Sequence, residues 1–246
     1  MPDAKVDWFT EHLPRWETHV LPRLPAKGVR ALIVGAYEGL PVAWLRTRLK
    51  RRLASVTVVE DFAADQPCVG FRGAGVWNPR EDVEAAFARN SAPRRGAAPV
   101  ELLRLAPSEG LLALRTQMRG ADSAYDLVYV DARSSRHALE CAVLAFPLLR
   151  QGGGVMAVTN YVHNRRHDAA CPRRGVDAFL DSYAAEVKVL SSGFHVFLER
   201  RDVPFDLGPC RSEYYDGEEA PFPVCKKPRS LAKITRRRTR SPLLPH

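Results

Sequence analysis

Gly35 and Gly39 set the tightest constraint on what this chain can fold into. They bracket a short turn between an apolar run, Ala31 to Val34, and an amphipathic run from Leu40 to Arg51. The apolar run has the length and composition of a strand buried on both faces. A strand, a glycine turn and a helix in that order present backbone N–H groups and a helix N-terminus to a nucleotide-like ligand. The next apolar run, Val56 to Val59, ends on Glu60. An acid at the tip of a second strand is where such folds hold the two hydroxyls of a ribose.

The rest of the chain continues the alternation of strand and helix. Val6 to Leu21 is a helical lead-in with Trp8, Phe9, Leu13, Trp16 and Val20 at three-to-four spacing, and Pro14 is expected to break or kink it. Its aromatic face either packs over the sheet edge or walls the pocket. Asp61 to Arg80 reads as a loop, Glu81 to Arg89 as a short helix, 91–99 as a second loop and Val100 to Leu105 as the third strand. Ser108 is placed to cap a helix from Glu109 to Met118. Tyr125 to Asp131 is a fourth strand, and Ser134 or Ser135 caps a helix that runs to Leu149 and is ended by Gly152 to Gly154. Val155 to Asn160 is the fifth strand and Val176 to Ala185 a helix. Val187 to Leu190 and Phe194 to Leu198, joined by Ser191 to Gly193, carry the one β-hairpin signal. The expected fold is therefore α/β and Rossmann-like: a mostly parallel seven-stranded sheet flanked by helices and ending in an antiparallel hairpin. The domain is expected over 1–200, a Pro- and acid-rich extension over 201–225 and a basic tail over 226–246.

Charge separates these parts. The chain of 246 residues carries a net charge of +9. Eight of its Lys and Arg lie between Lys226 and Arg240, with no acid in that tail. Without them 29 basic residues face 28 acidic ones, so the basicity belongs to the tail. Such a run is either a solvated tail or a contact for RNA, DNA or an import receptor. Five cysteines, at 68, 141, 171, 210 and 225, are odd in number and form no C-x-x-C pair. That points to reduced thiols in an intracellular compartment, cytoplasmic or reached by nuclear import through the tail. No apolar run reaches the ~18 residues a membrane span needs, and the first residues do not read as a signal peptide.

Four segments together resemble the class I S-adenosylmethionine-dependent methyltransferases, over roughly Trp8 to Arg200. They are Val34-Gly-Ala-Tyr-Glu-Gly39, Val56-Thr-Val-Val-Glu60, Tyr125-Asp-Leu-Val-Tyr-Val-Asp131, and the run from Ala142 to Gly153 that is similar to the "LL-x-x-GG" segment of that family. The first has the degenerate form G-x-x-E-G found in a small group of these enzymes. The resemblance implies an S-adenosylmethionine cofactor, with Gly35, Ala36, Tyr37, Glu38 and Gly39 around its methionine end. It implies further that Glu60, with Asp61 beside it, lies at the ribose, Ser108 near the adenine and Asp131 at the reaction end. Candidates for a general base are Asp131, Tyr161 and His163.

The chain also departs from that family. Asp131 is followed by Ala132-Arg-Ser-Ser135 where relatives carry Gly-Ser-His, Pro41 stands where a small hydroxyl residue is common, and the fifth strand ends Thr159-Asn160 where some relatives carry acids. In the metal-dependent branch those acids hold Mg²⁺, a cation that wants several oxygen ligands. With Thr159 in place of an acid, no metal is expected. His163, His167 and Cys171 have zinc-like spacing but lie in a loop without a fourth ligand nearby. Arg165, Arg166, Arg173 and Arg174 of the same region would suit an anionic substrate.

Two readings of different class follow: a metal-independent methyltransferase acting on an unidentified small-molecule or macromolecular acceptor, or an inactive relative serving as a scaffold through the basic tail. An NAD-dependent oxidoreductase is disfavoured, because the third glycine of G-x-G-x-x-G is missing and the late hairpin does not fit.

Overall fold

The structure is a computed structural model that describes residues 9–62, 83–93, 95–118, 124–161 and 171–203. His163, Arg165, Arg166 and His167, all but the first two residues of the expected loop from Asp61 to Arg80, and the extension and tail beyond Val203 lie outside the described residues.

Seven strands form one sheet in the order β3-β2-β1-β4-β5-β7-β6. They are β1 (Val29–Val34), β2 (Leu53–Val59), β3 (Val100–Leu103), β4 (Leu127–Val130), β5 (Val155–Val158), β6 (Val187–Ser191) and β7 (Val196–Arg200). The strands β1 to β5 pair in parallel. The strand β7 inserts antiparallel between β5 and β6. The expected hairpin is thus present, with its second strand and not its first against the parallel sheet. All four residues of β4 and of β5 are buried. Helices on both faces account for this, and for the continuous apolar runs that stand in place of alternation.

The connections assign the helices to faces. The helices α1 (Leu13–His19), α2 (Leu40–Leu49) and α3 (Val83–Ser91) supply Trp16, Val42, Leu45 and Phe87 to a core with Ile33, Leu127 and Tyr129. The helices α4 (Pro107–Gln117), α5 (Ser135–Ala145) and α6 (Arg173–Ser182) supply Leu111, Ala142 and Phe179 to the opposite core with Leu32, Val128 and Met156. Truncating a fully buried Leu such as Leu32 in such a core costs about 2–5 kcal/mol. The chain leaves β1 toward β2 on one side and reaches β4 on the other, which places the topological switch point between β1 and β4.

Local chemistry moves several boundaries. Pro14 does not break the lead-in: a 3-10 turn over Thr10–His12 precedes α1, and Pro14 sits in its first turn, where its missing N–H is no loss. The helix α4 begins at Pro107 with Ala106 as its N-cap, so Ser108 lies inside the first turn and caps nothing. Again a proline at the first helical position outweighs a hydroxyl one residue later. Ser134, not Ser135, caps α5, accepting from the His137 N–H at 3.2 Å. Tyr125 falls outside β4 and makes an isolated bridge to Leu149. Among the described residues no helix is long and apolar enough to cross a membrane.

Candidate ligand-binding site

The glycine turn is built by backbone angles that side chains resist. Gly35 and Gly39 have φ of 81° and 82°, the left-handed region open to glycine. Space is the second constraint at Gly35, where an added Cβ would stand 2.9 Å from the Cβ of Asp131. Tyr37 takes φ of 49° without that freedom. The α3 helix holds the turn from outside: Asn90 Nδ2 donates to the Glu38 carbonyl at 2.8 Å, both groups buried.

Glu60 follows β2 and is 3% exposed. Its Oε2 accepts from the N–H groups of Ala36 at 2.8 Å and Tyr37 at 3.1 Å. Its Oε1 accepts from the Phe62 N–H at 3.3 Å and lies 3.5 Å from Arg133 Nη2. Four donors on one carboxylate match its acceptor capacity. The acid at the tip of β2 therefore braces the glycine turn, and Arg133, from the loop after β4, reaches across to the same group. Asp61 is half-buried beside it.

Asp131 follows β4 on the same face as Tyr129. Its Oδ1 accepts from the Thr159 hydroxyl at 2.8 Å and Asn160 Nδ2 at 3.1 Å. Asn160, with φ of 60°, also donates to the Ala132 carbonyl at 2.8 Å, and the Thr159 hydroxyl accepts from the Ala132 N–H at 3.2 Å. Thr159 and Asn160, which follow β5 where some relatives carry acids, thus hand hydrogen bonds to the acid that follows β4.

These pieces line a small, partly open cleft. The turn from Gly35 to Glu38 and Asp131 form its polar side, and Phe9, Leu40, Pro41 and Tyr129 its apolar side. Glu38 is 7% exposed. The Phe9 and Tyr129 rings meet edge-on with centroids 6.2 Å apart. Burial pushes the Tyr129 hydroxyl well above its ordinary pKa, with nearby Asp131 adding to the shift, so it stays protonated.

The structure gathers Gly35, Ala36, Tyr37, Glu38 and Asp131 around that cleft, with Gly39 and Glu60 directly behind the turn. Ser108 does not line it. Tyr161 packs against the opposite core, and its hydroxyl donates to Asp177 Oδ1 at 2.7 Å while Arg173 lies 5.4 Å over its ring. Burial and the Asp177 carboxylate raise its pKa, which suits an anchor better than a base. Phe9 takes the wall position open to it from its helical spacing. Tyr129 and Arg133 carry no motif; the signal for Tyr129 was its place two residues before Asp131, on the same strand face.

No protein-family model matches the chain, and no curated protein matches its sequence. Among solved structures it is similar to a calicheamicin methyltransferase (CalS11), with a TM-score of 0.54 and 11% identity over 77% of this chain and 79% of that one. It is also similar to cofactor-bound Rv0187 from MTB, with a TM-score of 0.52 and 18% identity over 82% of this chain and 84% of that one. At these identities the likeness is one of shape. The strand order, its antiparallel end and these two likenesses together show that the chain has the class I methyltransferase fold.

Proposed function

We propose that the protein is a methyltransferase that uses S-adenosylmethionine and no metal. The observation that carries the reading is the convergence of a left-handed glycine turn, braced from behind by Glu60, and the oriented Asp131 on one cleft at the switch point between β1 and β4. Ligands of open α/β sheets bind at that point. The backbone from Gly35 to Tyr37 and the carboxylates of Glu38 and Asp131 would hold the methionine end, and Phe9, Leu40 and Tyr129 would exclude water from it.

When bound, the cofactor supplies an electrophilic methyl group, so the chain's task is alignment. Thr159 and Asn160 fix one oxygen of Asp131 and thereby aim the carboxylate. Asp131 then accepts a proton from a hydroxyl or ammonium acceptor, the role for which it is the candidate in this cleft. The hydrogen-bond donors at the end of β5 favour a single working carboxylate over a cation site, which would need several oxygen ligands.

A second reading has its own support. The inactive scaffold would fit a Glu60 whose carboxylate stays with its present donors, the Ala36, Tyr37 and Phe62 N–H groups and Arg133, and is not exchanged for ribose hydroxyls.

Calorimetric titration of S-adenosylhomocysteine into the full chain tests the choice. Micromolar binding that weakens about tenfold in Asp131→Asn, as loss of one charged hydrogen bond implies, supports the cofactor site. Transfer of a labelled methyl group that persists in chelator then supports the enzyme. A folded wild type that binds nothing would overturn the reading.

A further inference from the structure

One buried cluster on the α1 face has no part in that scheme. His12, in the turn after Phe9, stacks on Phe194 with centroids 4.4 Å apart and 18° between planes, and meets His195 edge-on at 4.9 Å. His195 is 1% exposed and is enclosed by Phe197 at 5.6 Å, Trp16 at 5.8 Å and Tyr129 at 6.4 Å. Three ring nitrogens of this cluster are buried with no hydrogen-bond partner among the described residues: His12 Nε2, Trp16 Nε1 and His195 Nδ1. Native cores leave few polar atoms unpartnered. Three in one contact cluster leave a proton added there without a hydrogen-bond acceptor among the described residues.

The surroundings favour neutral rings. Burial, with the neighbouring His12 and Arg15, brings the His195 pKa down to about 3. Burial also lowers that of His12, against the opposing pull of Glu11. The charged groups facing the pair offer little shelter to a proton. On the same segment, Glu11 Oε1 is 3.2 Å from His12 Nε2 without hydrogen-bond geometry, and it is 69% exposed, so water screens it. Arg15 adds positive charge and donates to the Ser192 carbonyl on the hairpin turn at 3.3 Å. His19 of α1 stacks on Phe197 at 6.0 Å. From β4 comes Tyr129, which burial keeps neutral, and from β7 Glu199, which is already paired with Arg23 at 3.1 Å.

Protonation would put positive charge into an aromatic box, and a second proton would put two charges about 5 Å apart there. The pair joins two distant parts of the chain: the segment from Phe9 to Arg23, and the entrance to β7. Phe9 is a wall of the cleft. We propose that His12 and His195 form an acid-released latch, whose protonation frees the segment from Phe9 to Arg23 and withdraws Phe9 from the cleft.

The direction follows from linkage. Both imidazoles have folded values below their ordinary 6.5, so the docked segment is fully held above that pH. Its stability is lost as pH falls from 6.5 toward 3. Nothing in this depends on what the cleft binds.

Amide hydrogen exchange of the full chain, at about pH 7.5 and about pH 5 and corrected for intrinsic rates, tests it. The wild type is expected to lose protection about tenfold over residues 9–23 at the lower pH, while β1, β4 and β5 keep theirs. His195→Phe, which fills the same stacked space and takes no proton, should leave only the smaller response of His12. His12→Phe removes the repulsion between two charges and should shift the loss to lower pH. Loss of protection in segment and sheet together would mean ordinary acid unfolding and would overturn the latch. So would an unchanged wild type, or the wild-type response persisting in both variants.

Discussion

Glu60 and Asp131 end the two strands that flank β1, and they are held by opposite means. Glu60 takes most of its hydrogen bonds from the backbone, and it is buried. Asp131 takes its own from two side chains on one oxygen, and it is half-buried. A carboxylate bonded to main chain is coupled to the path of that chain, so changing it disturbs the loop. A carboxylate bonded to side chains can be retuned one residue at a time. The first is a structural keystone of the turn, and the second is the adjustable end of the site.

Glu60→Ala should show the contrast most strongly. It leaves the buried N–H groups of Ala36 and Tyr37 and the Arg133 guanidinium without their acceptor, and about 3 kcal/mol of stability should be lost in chemical denaturation. A loss as small as that of an exposed ion pair would erase the distinction. Gly35→Ala probes the point where the two ends meet. A left-handed alanine pressed against Asp131 should cost about 2 kcal/mol and close part of the cleft. Thermal denaturation with and without S-adenosylhomocysteine would read both effects.

Asn160→Asp sharpens the comparison at the adjustable end. Asn and Asp both tolerate the left-handed backbone at that position, so the change keeps the chain path and exchanges the donor on Asp131 and on the Ala132 carbonyl for a charged acceptor. Two carboxylates then face each other, costing about 1.5 kcal/mol that millimolar Mg²⁺ should restore, while the wild type shows no such rescue. Thr159→Val is the mildest change. It removes one hydroxyl from the network around Asp131 and should cost about 1 kcal/mol, with any transfer activity falling more than cofactor affinity.

Much of this was legible in the sequence, for physical reasons that can be named. Continuous apolar runs and their turns gave the sheet, since strands buried on both faces have no other pattern. The glycine turn and the acids at strand ends located the cleft. What one chain cannot report is where a side chain's partners lie. Glu60 reads as an acid free for a ligand until the Ala36 and Tyr37 amides are found on it. Tyr161 reads as a candidate base until Asp177 is found on its hydroxyl. His12 and His195 lie far apart in the sequence, and no local pattern links them. The misplaced boundaries at Pro14 and Ser108 share one cause, the ease with which proline begins a helix.

The wall that Phe9 gives the cleft depends on chain made much later. Arg15 and Arg23 bond to residues 177 and 176 positions further on, in the β6–β7 hairpin, and the aromatic cluster closes over a similar distance. Contacts of such separation form late, because a long loop must close before they stabilise anything. During synthesis the glycine turn, β1 and β2 can be complete while the cleft still lacks one side. The cleft therefore gains its Phe9 wall only after β7 has been synthesised, and a chain truncated before β7 would keep its motif without that wall.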